Sequence, residues 1–303
     1  MAKRLVSSIC LLVFPVFSVL ASENVQSASA PNFLPWILVD KKTNALKIMH
    51  SSDLNFSAVK TYRTTLGLVP GDKEKEGDKK TPEGIYFFEE VLRPPRIAKK
   101  YGRMAITMNY PNAWDRFMKR TGSGIWLHAT DEPQRMEKDL DSLGCVVVRD
   151  EEIEEIEASI RYRVSPIIIF EDFEAQKDIM NEERLASIKA RIEDWARSWA
   201  EKDLDRYMSF YHPAFSSNGM NLKQWREYKA RLNKRYHQIT VDISRLYVFA
   251  HPKYDVAIFN QVYESRFKSG KVAHLSKGVK ILYLARDGEA PKILSEEFRN
   301  TEI

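Results

Sequence analysis

The sequence predicts two domains: a β-rich first domain, then an α+β domain whose long strands form a curved sheet closing around a helix. Three observations carry this reading. Up to about residue 171, apolar residues come in short runs of strand length, separated by glycine, proline and charged loops. From about Lys177 the spacing becomes that of amphipathic helices. After Arg235 it changes again, to long strand-like stretches with turns marked by Pro252 and Gly288. The chain of 303 residues is long enough for both units. The change of character sets the boundary near residues 172–180, giving domains over 36–172 and 178–303.

The first residues come ahead of either domain. Lys3 and Arg4 precede a largely apolar run, Leu5 to Leu20, and Val19-Leu20-Ala21 supplies small residues for cleavage. Residues 1–21 are therefore expected to be a cleavable export signal. The apolar run is about 16 residues long and contains Pro15, short of the roughly 20 needed to span a bilayer. An uncleaved inner-membrane anchor is the alternative reading. Residues 22–35 are small and polar, with prolines at 31 and 35, and read as a spacer.

In the first domain, Trp36–Val39 and Ala45–Met49 read as a hairpin, and Ala58 to Leu68 as a further strand. A charged, glycine-punctuated loop covers residues 70–80, and Thr81-Pro82-Glu83-Gly84 leads into a strand at Ile85–Phe88. Ile125–His128, Cys145–Val148 and Val164–Phe170 are short apolar runs suited to buried strands. One helix is expected after Val148, capped by Asp150, with Glu151, Glu152, Glu154 and Glu155 favoured by the macrodipole. Its Ile153, Ile156 and Ile160 would face the sheet. In the second domain Leu185, Ile188, Ile192, Trp195 and Trp199 share one face of helical sequence running from Lys177 to Phe210. A second helix is expected over Leu222–Arg235. Strands follow at Ile239–Ala250, Tyr254–Phe267 and Gly278–Ala285.

The formal net charge is +5 and falls to about +3 without Lys3 and Arg4. That surplus is scattered, which argues against nucleic acid as a partner. No metal or nucleotide motif is present, so no cofactor is expected.

The chemistry concentrates on one thiol. Cys10 lies in the leader, so the exported chain would carry Cys145 alone, in a compartment where cysteines are normally paired as disulfides. His128 lies 17 positions upstream, at the end of the apolar run Ile125-Trp126-Leu127. Two neighbouring strand ends would bring an imidazole to a thiol, which attacks carbonyls only once it loses its proton. Gly144 permits close backbone approach, and the amides beside the cysteine could cradle an oxyanion. From spacing alone, a small core cysteine and a structural histidine remain the plain alternative.

His128, a mostly polar gap, and Ser142-x-Gly144-Cys145 resemble the catalytic motif of the L,D-transpeptidase (YkuD-type) family. The stretch Gly77 to Tyr86, with Thr81-Pro82-Glu83-Gly84, resembles the segment ahead of that family's active site. Tyr110-Pro111-Asn112-Ala113-Trp114-Asp115-Arg116 and Gly122 to His128 resemble a branch from Gram-negative cell-wall proteins. The resemblance covers roughly residues 36–171. It implies that Cys145 is the nucleophile, His128 the general base, Ala129 the carbonyl orienting the imidazole, and Gly144 with Cys145 the oxyanion amides. Two positions depart from the pattern: Leu143 stands where the family has a second histidine, and Val147 where it often has an arginine. Arg149 is a candidate replacement for the latter. Tyr110, Trp126, Ser142 and Arg149 are candidates for substrate binding. Tyr86, Tyr101 and Trp114 join Tyr110 and Trp126 as aromatic candidates for the cleft, with packing as the competing role.

From Ile192 to Phe215 the sequence resembles the opening helices of nuclear-transport-factor-2-like domains, which implies a cone-shaped sheet wrapped around a helix and forming a pocket. Such a pairing is similar to cell-shape enzymes of curved and helical bacteria that trim stem tetrapeptides to tripeptides. The resemblance implies a periplasmic enzyme acting on peptidoglycan stem peptides, as an L,D-carboxypeptidase or a cross-linking L,D-transpeptidase. A peptidoglycan-binding module without turnover, or a hydrolase releasing stem-linked outer-membrane lipoprotein, is the alternative. The ligand of the C-terminal pocket and the oligomeric state, a homodimer included, stay open. His212, His237, His251 and His274 read as structural or exposed.

Overall fold

The computed structural model describes residues 33–50, 57–286, 288 and 290–303. The expected leader and most of the spacer lie outside the described residues. The spacer ends earlier than expected: Phe33 stacks on His50 at 3.8 Å between ring centroids, Leu34 is buried, and Pro35 already belongs to a strand.

The first domain contains strands β1 (Pro35–Asp40), β2 (Ala45–His50), β3 (Lys60–Arg63), β4 (Leu66–Gly67), β5 (Gly84–Leu92), β6 (Ala105–Met108), β7 (Trp126–His128), β8 (Leu140–Ser142), β9 (Val146–Val147) and β10 (Pro166–Phe170). Helices α1 (Ala113–Phe117) and α2 (Ile153–Ala158) interrupt them. Eight strands form one sheet in the order β3-β2-β1-β10-β5-β6-β7-β9, and β4 pairs with β8. The single strand expected from Ala58 to Leu68 is broken. At Thr64 the chain leaves β2: its N–H donates to Asn44 O, its hydroxyl donates to Val147 O at 2.7 Å, and Thr65 bridges Val147.

The apolar runs at β1, β5 and β10 have a physical reason. Successive side chains on a strand face opposite sides. Ile37, Val39, Tyr86, Phe88, Ile167 and Ile169 fill the core of the first domain. Their neighbours Trp36, Leu38, Ile85, Phe87, Ile168 and Phe170 join a second core shared with the C-terminal residues. Both faces of the sheet are buried, so these strands carry no polar alternation. The helix cap differs from expectation. Asp150 accepts from the Arg103 N–H and Nε at 2.7 and 2.9 Å, while Glu152 holds the N-cap position of α2 without a side-chain capping bond.

The second domain follows as α3 (Phe173–Gln176), α4 (Glu182–Ala200), α5 (Leu204–Ser209), the two-residue strands β11 (Ser216–Ser217) and β12 (Met220–Asn221), α6 (Leu222–Arg235), and an antiparallel sheet β13 (Gln238–Ala250), β14 (Asp255–Arg266), β15 (Val272–Ala285) and β16 (Lys292–Arg299). The helical region expected from Lys177 to Phe210 is divided, because Asn181 and Asp203 cap new helices by accepting the N–H groups of Arg184 and Arg206. Leu185, Ile188, Ile192, Trp195 and Trp199 are buried as their spacing predicts. Polar ties join the domains. The Tyr254 hydroxyl accepts from Ile85 N–H and Asn112 Nδ2 and donates to Ile85 O. Arg299 donates to Glu89 and to the Arg163 carbonyl, and the His251 ring meets Ile169 O at 3.1 Å.

Candidate active site

The site is built where β7 ends and β9 begins. These strands pair in parallel with the register Leu127↔Val146 and His128↔Val147, so Cys145 comes level with Trp126, two residues short of His128 on the neighbouring strand. Leu127 and Val146 point into the core. The alternation therefore turns His128 and Cys145 towards the opposite side. Cys145 is the one cysteine among the described residues and is half-buried.

His128 is buried, at 3% exposure. Its Nδ1 lies 2.5 Å from Ala129 O, the arrangement in which Nδ1 donates and Nε2 keeps a free lone pair. Tyr101 covers the imidazole edge-on at 4.9 Å and leans on Trp126 at 5.2 Å. Burial pushes the His128 pKa down to about 4, with Arg135 and Lys100 adding to the shift against the Ala129 bond. Burial pushes the Cys145 thiol up, opposed by the Trp126 N–H and by the charges of Arg135, Lys100 and Lys73. At neutral pH the pair rests as neutral thiol and neutral imidazole. The thiol donates to Gly124 O at 3.6 Å.

The turn before the nucleophile is held by Ser142, which is buried. Its hydroxyl donates to Cys145 O at 2.7 Å and accepts the Gly144 N–H at 3.1 Å. This corrects two expectations. Ser142 spends its hydroxyl on the turn instead of facing a ligand, and the Gly144 N–H is not available to an oxyanion. The Cys145 N–H has no hydrogen-bond acceptor among the described residues. Gly144 has φ +125°, and a Cβ there would stand 2.7 Å from Lys80 O, so the position demands glycine.

Ala129 and Trp126 lie with His128 and Cys145, whereas two other candidates do not. Tyr110 is buried against Tyr86 and donates its hydroxyl to Thr121 O, so it is a core residue. Arg149 is exposed and paired with Glu152 at 3.4 Å, at the start of α2. Tyr86 is fully buried, and Trp114 stacks on Tyr254 between the domains. Arg135 was not singled out from the sequence. Its guanidinium donates to Asp141 Oδ2, Asp141 O and Thr130 Oγ1, bracing the polar gap between His128 and Cys145. The six-residue spacing of Arg135 and Asp141 was its only trace.

The C-terminal domain has its own cavity of about 290 Å³, lined by residues that include Trp199, Tyr228, Lys229, Gln261 and Lys280. Lys229 Nζ lies 3.4 Å from the Trp199 ring centroid, and burial lowers its pKa to about 7. Of the four histidines, His251 and His212 are buried and His237 and His274 exposed. Among the described residues no group of three or more His, Cys, Asp or Glu could hold a metal ion.

A sheet-borne thiol and imidazole, ahead of a helix-and-sheet module, define a two-domain protein of the L,D-transpeptidase type. Residues 34–169 match YkuD, the L,D-transpeptidase catalytic domain, and residues 187–297 match the Cds6 C-terminal NTF2-like domain. Bd1075 of Bdellovibrio bacteriovorus is 32% identical, with 90% of this chain and 95% of that one covered and a TM-score of 0.72. The helical cell shape determining protein Pgp2 of Campylobacter jejuni shares the fold. A mutant form of it aligns at 23% identity over 88% of this chain and 90% of that one, with a TM-score of 0.67. A second Pgp2 structure aligns at 22% identity over 88% and 92%, with a TM-score of 0.63. No curated protein matches the chain by sequence. The chain belongs to the YkuD-type L,D-transpeptidase family, in the branch that carries a C-terminal NTF2-like domain, and its role is peptidoglycan modification of that type.

Proposed function

We propose that the chain is a periplasmic L,D-carboxypeptidase that shortens peptidoglycan stem tetrapeptides through a Cys145 thioester. The observation that carries the reading is His128 on the strand paired with that of Cys145, buried, with its Nδ1 committed to Ala129 O and its Nε2 unprotonated at neutral pH. Nε2 takes the thiol proton as sulfur attacks the carbonyl of the L–D peptide bond. The Cys145 N–H stabilises the oxyanion. Collapse of the tetrahedral intermediate breaks the C–N bond, and the imidazolium returns the proton to the departing D-amino acid. Water, deprotonated by His128, then attacks the thioester and regenerates the thiol.

The distribution of charge suggests how the terminal carboxylate of a stem is held, a feature that trimming and cross-linking would share. Of the three cations that bear on Cys145, Arg135 is paired with Asp141 and Lys73 with Asp78. Lys100 is exposed, has no acidic partner among the described residues, and rests on the Tyr101 ring at 5.1 Å. It is placed to receive the terminal carboxylate of a stem. Export follows from the leader pattern of residues 1–21, and the Pgp2 likeness extends the reading to cell shape. Sacculi digested with purified protein should yield tripeptides in place of tetrapeptides by mass spectrometry. Unchanged muropeptides, or full activity in Cys145→Ala, would overturn the reading.

A further inference from the structure

Lys253 lies in the turn between β13 and β14, in the C-terminal domain, yet its ammonium reaches into the first domain. It meets the Asp72 carboxylate, Glu83 O at 3.2 Å and Glu83 Oε2 at 3.2 Å. Asp72 Oδ1 also accepts the Glu83 N–H at 2.8 Å, so these two residues close the neck of the loop spanning 72–83. Arg120 shares Asp72, and Lys41 ties Glu83 to Gly71 O. Beyond its neck, this loop supports the nucleophile from both sides. Lys80 O is the atom packed under Gly144, and Thr81 Oγ1 accepts the Gly67 N–H at 2.9 Å, while the adjoining Leu68 N–H donates to Ser142 O. On the other side, Glu74 O accepts the Thr121 N–H, Glu76 N–H donates to Thr121 Oγ1, and Gly122 rests on Glu76 and Lys73. Two residues later comes Gly124, whose carbonyl accepts the hydrogen bond of the thiol.

We propose that Lys253 is a positioning residue for Cys145: through Asp72 and Glu83 the C-terminal domain holds the loop on which Gly144 and Gly124, the two flanks of the thiol, are braced. Removing its charge leaves two neighbouring carboxylates at the neck with one cation fewer. Like-charge repulsion then loosens the loop and the thiol loses its alignment with the imidazole. The turnover arm rests on the function proposed above, whereas alkylation of Cys145 does not, so the two failures can be told apart.

The full chain is compared as wild type, Lys253→Met, Lys253→Arg and Arg299→Gln, the last breaking an interdomain tie remote from the loop. Iodoacetamide alkylation of Cys145 at pH 7 is followed by intact mass, beside kcat and KM on a stem tetrapeptide. Lys253→Met should slow alkylation and lower kcat by about tenfold with little change in KM. Lys253→Arg should recover most of both, and Arg299→Gln should leave alkylation at the wild-type rate. Wild-type alkylation in Lys253→Met, equal losses in Arg299→Gln, or no recovery with arginine would overturn the proposal. Should Lys253→Met not fold, Lys253→Gln removes the same charge with a polar side chain and decides by the same readings.

Discussion

Under the proposed mechanism, the rate of Cys145 acylation between pH 7 and pH 4 should report the protonation of His128. A histidine with the ordinary pKa of 6.5 is only about 3% neutral at pH 5, whereas one held down to about 4 is about 91% neutral there. Only the neutral ring accepts the thiol proton, so activity is present above the folded-state pKa and is lost as the pH falls through it. At pH 5 the buried imidazole should therefore support a rate about 30-fold above that of an ordinary one. The assay is kcat/KM for release of the terminal D-amino acid from a stem tetrapeptide between pH 3.5 and 8. The expected acid limb has its midpoint near 4. Burial is the largest cause of the depression, and Tyr101 covers one edge of the ring. Tyr101→Ala should thus admit water and move the limb up towards 6.5. A wild-type limb already centred near 6.5, or one unmoved by Tyr101→Ala, would refute burial as the tuning device.

Other expectations follow from single contacts. Gly144→Ala must fit a Cβ 2.7 Å from Lys80 O at φ +125°, costing about 1–3 kcal/mol in strain and, by displacing Cys145, about 100-fold in kcat/KM. Tyr254→Phe leaves the buried Ile85 N–H without a partner, whereas Ile85 O keeps Asn112. Urea denaturation should show a loss of about 1–3 kcal/mol with unchanged slope. Lys100→Ala should raise KM about two- to fivefold for a tetrapeptide with a free carboxylate. Its effect on an amide-capped tetrapeptide should be nil; equal effects on both would remove Lys100 from substrate binding.

Much of the fold was legible because burial there followed simple periods. The hairpin β1–β2 and helix α6 stand where the residue pattern places them. Strand β16 was not anticipated, since Lys-Ile-Leu-Ser-Glu-Glu-Phe-Arg reads as solvated surface. Two of its charges are nonetheless buried by partners outside the strand: Glu296 accepts from Lys280 at 2.8 Å and Arg299 pairs with Glu89. Strand β6 contributes only four residues and no alternation long enough to notice. At the site, the types and spacing of His128 and Cys145 were visible, but the direction of an amide was not. That Gly144 N–H turns to Ser142 depends on a glycine conformation that no composition or spacing records. Tyr110 was a candidate because it opens the Tyr110–Arg116 motif, yet its ring is turned inward and packs tilted against Tyr86.

The apolar sheet surface made by Trp36, Leu38, Ile85, Phe87, Ile168 and Phe170 limits how this chain could be taken apart. Cut at residue 172, the leading half would present six large hydrocarbon side chains to water at once, each worth about 1.5–3 kcal/mol of transfer free energy. Such a fragment should precipitate or clump rather than serve as a miniature enzyme.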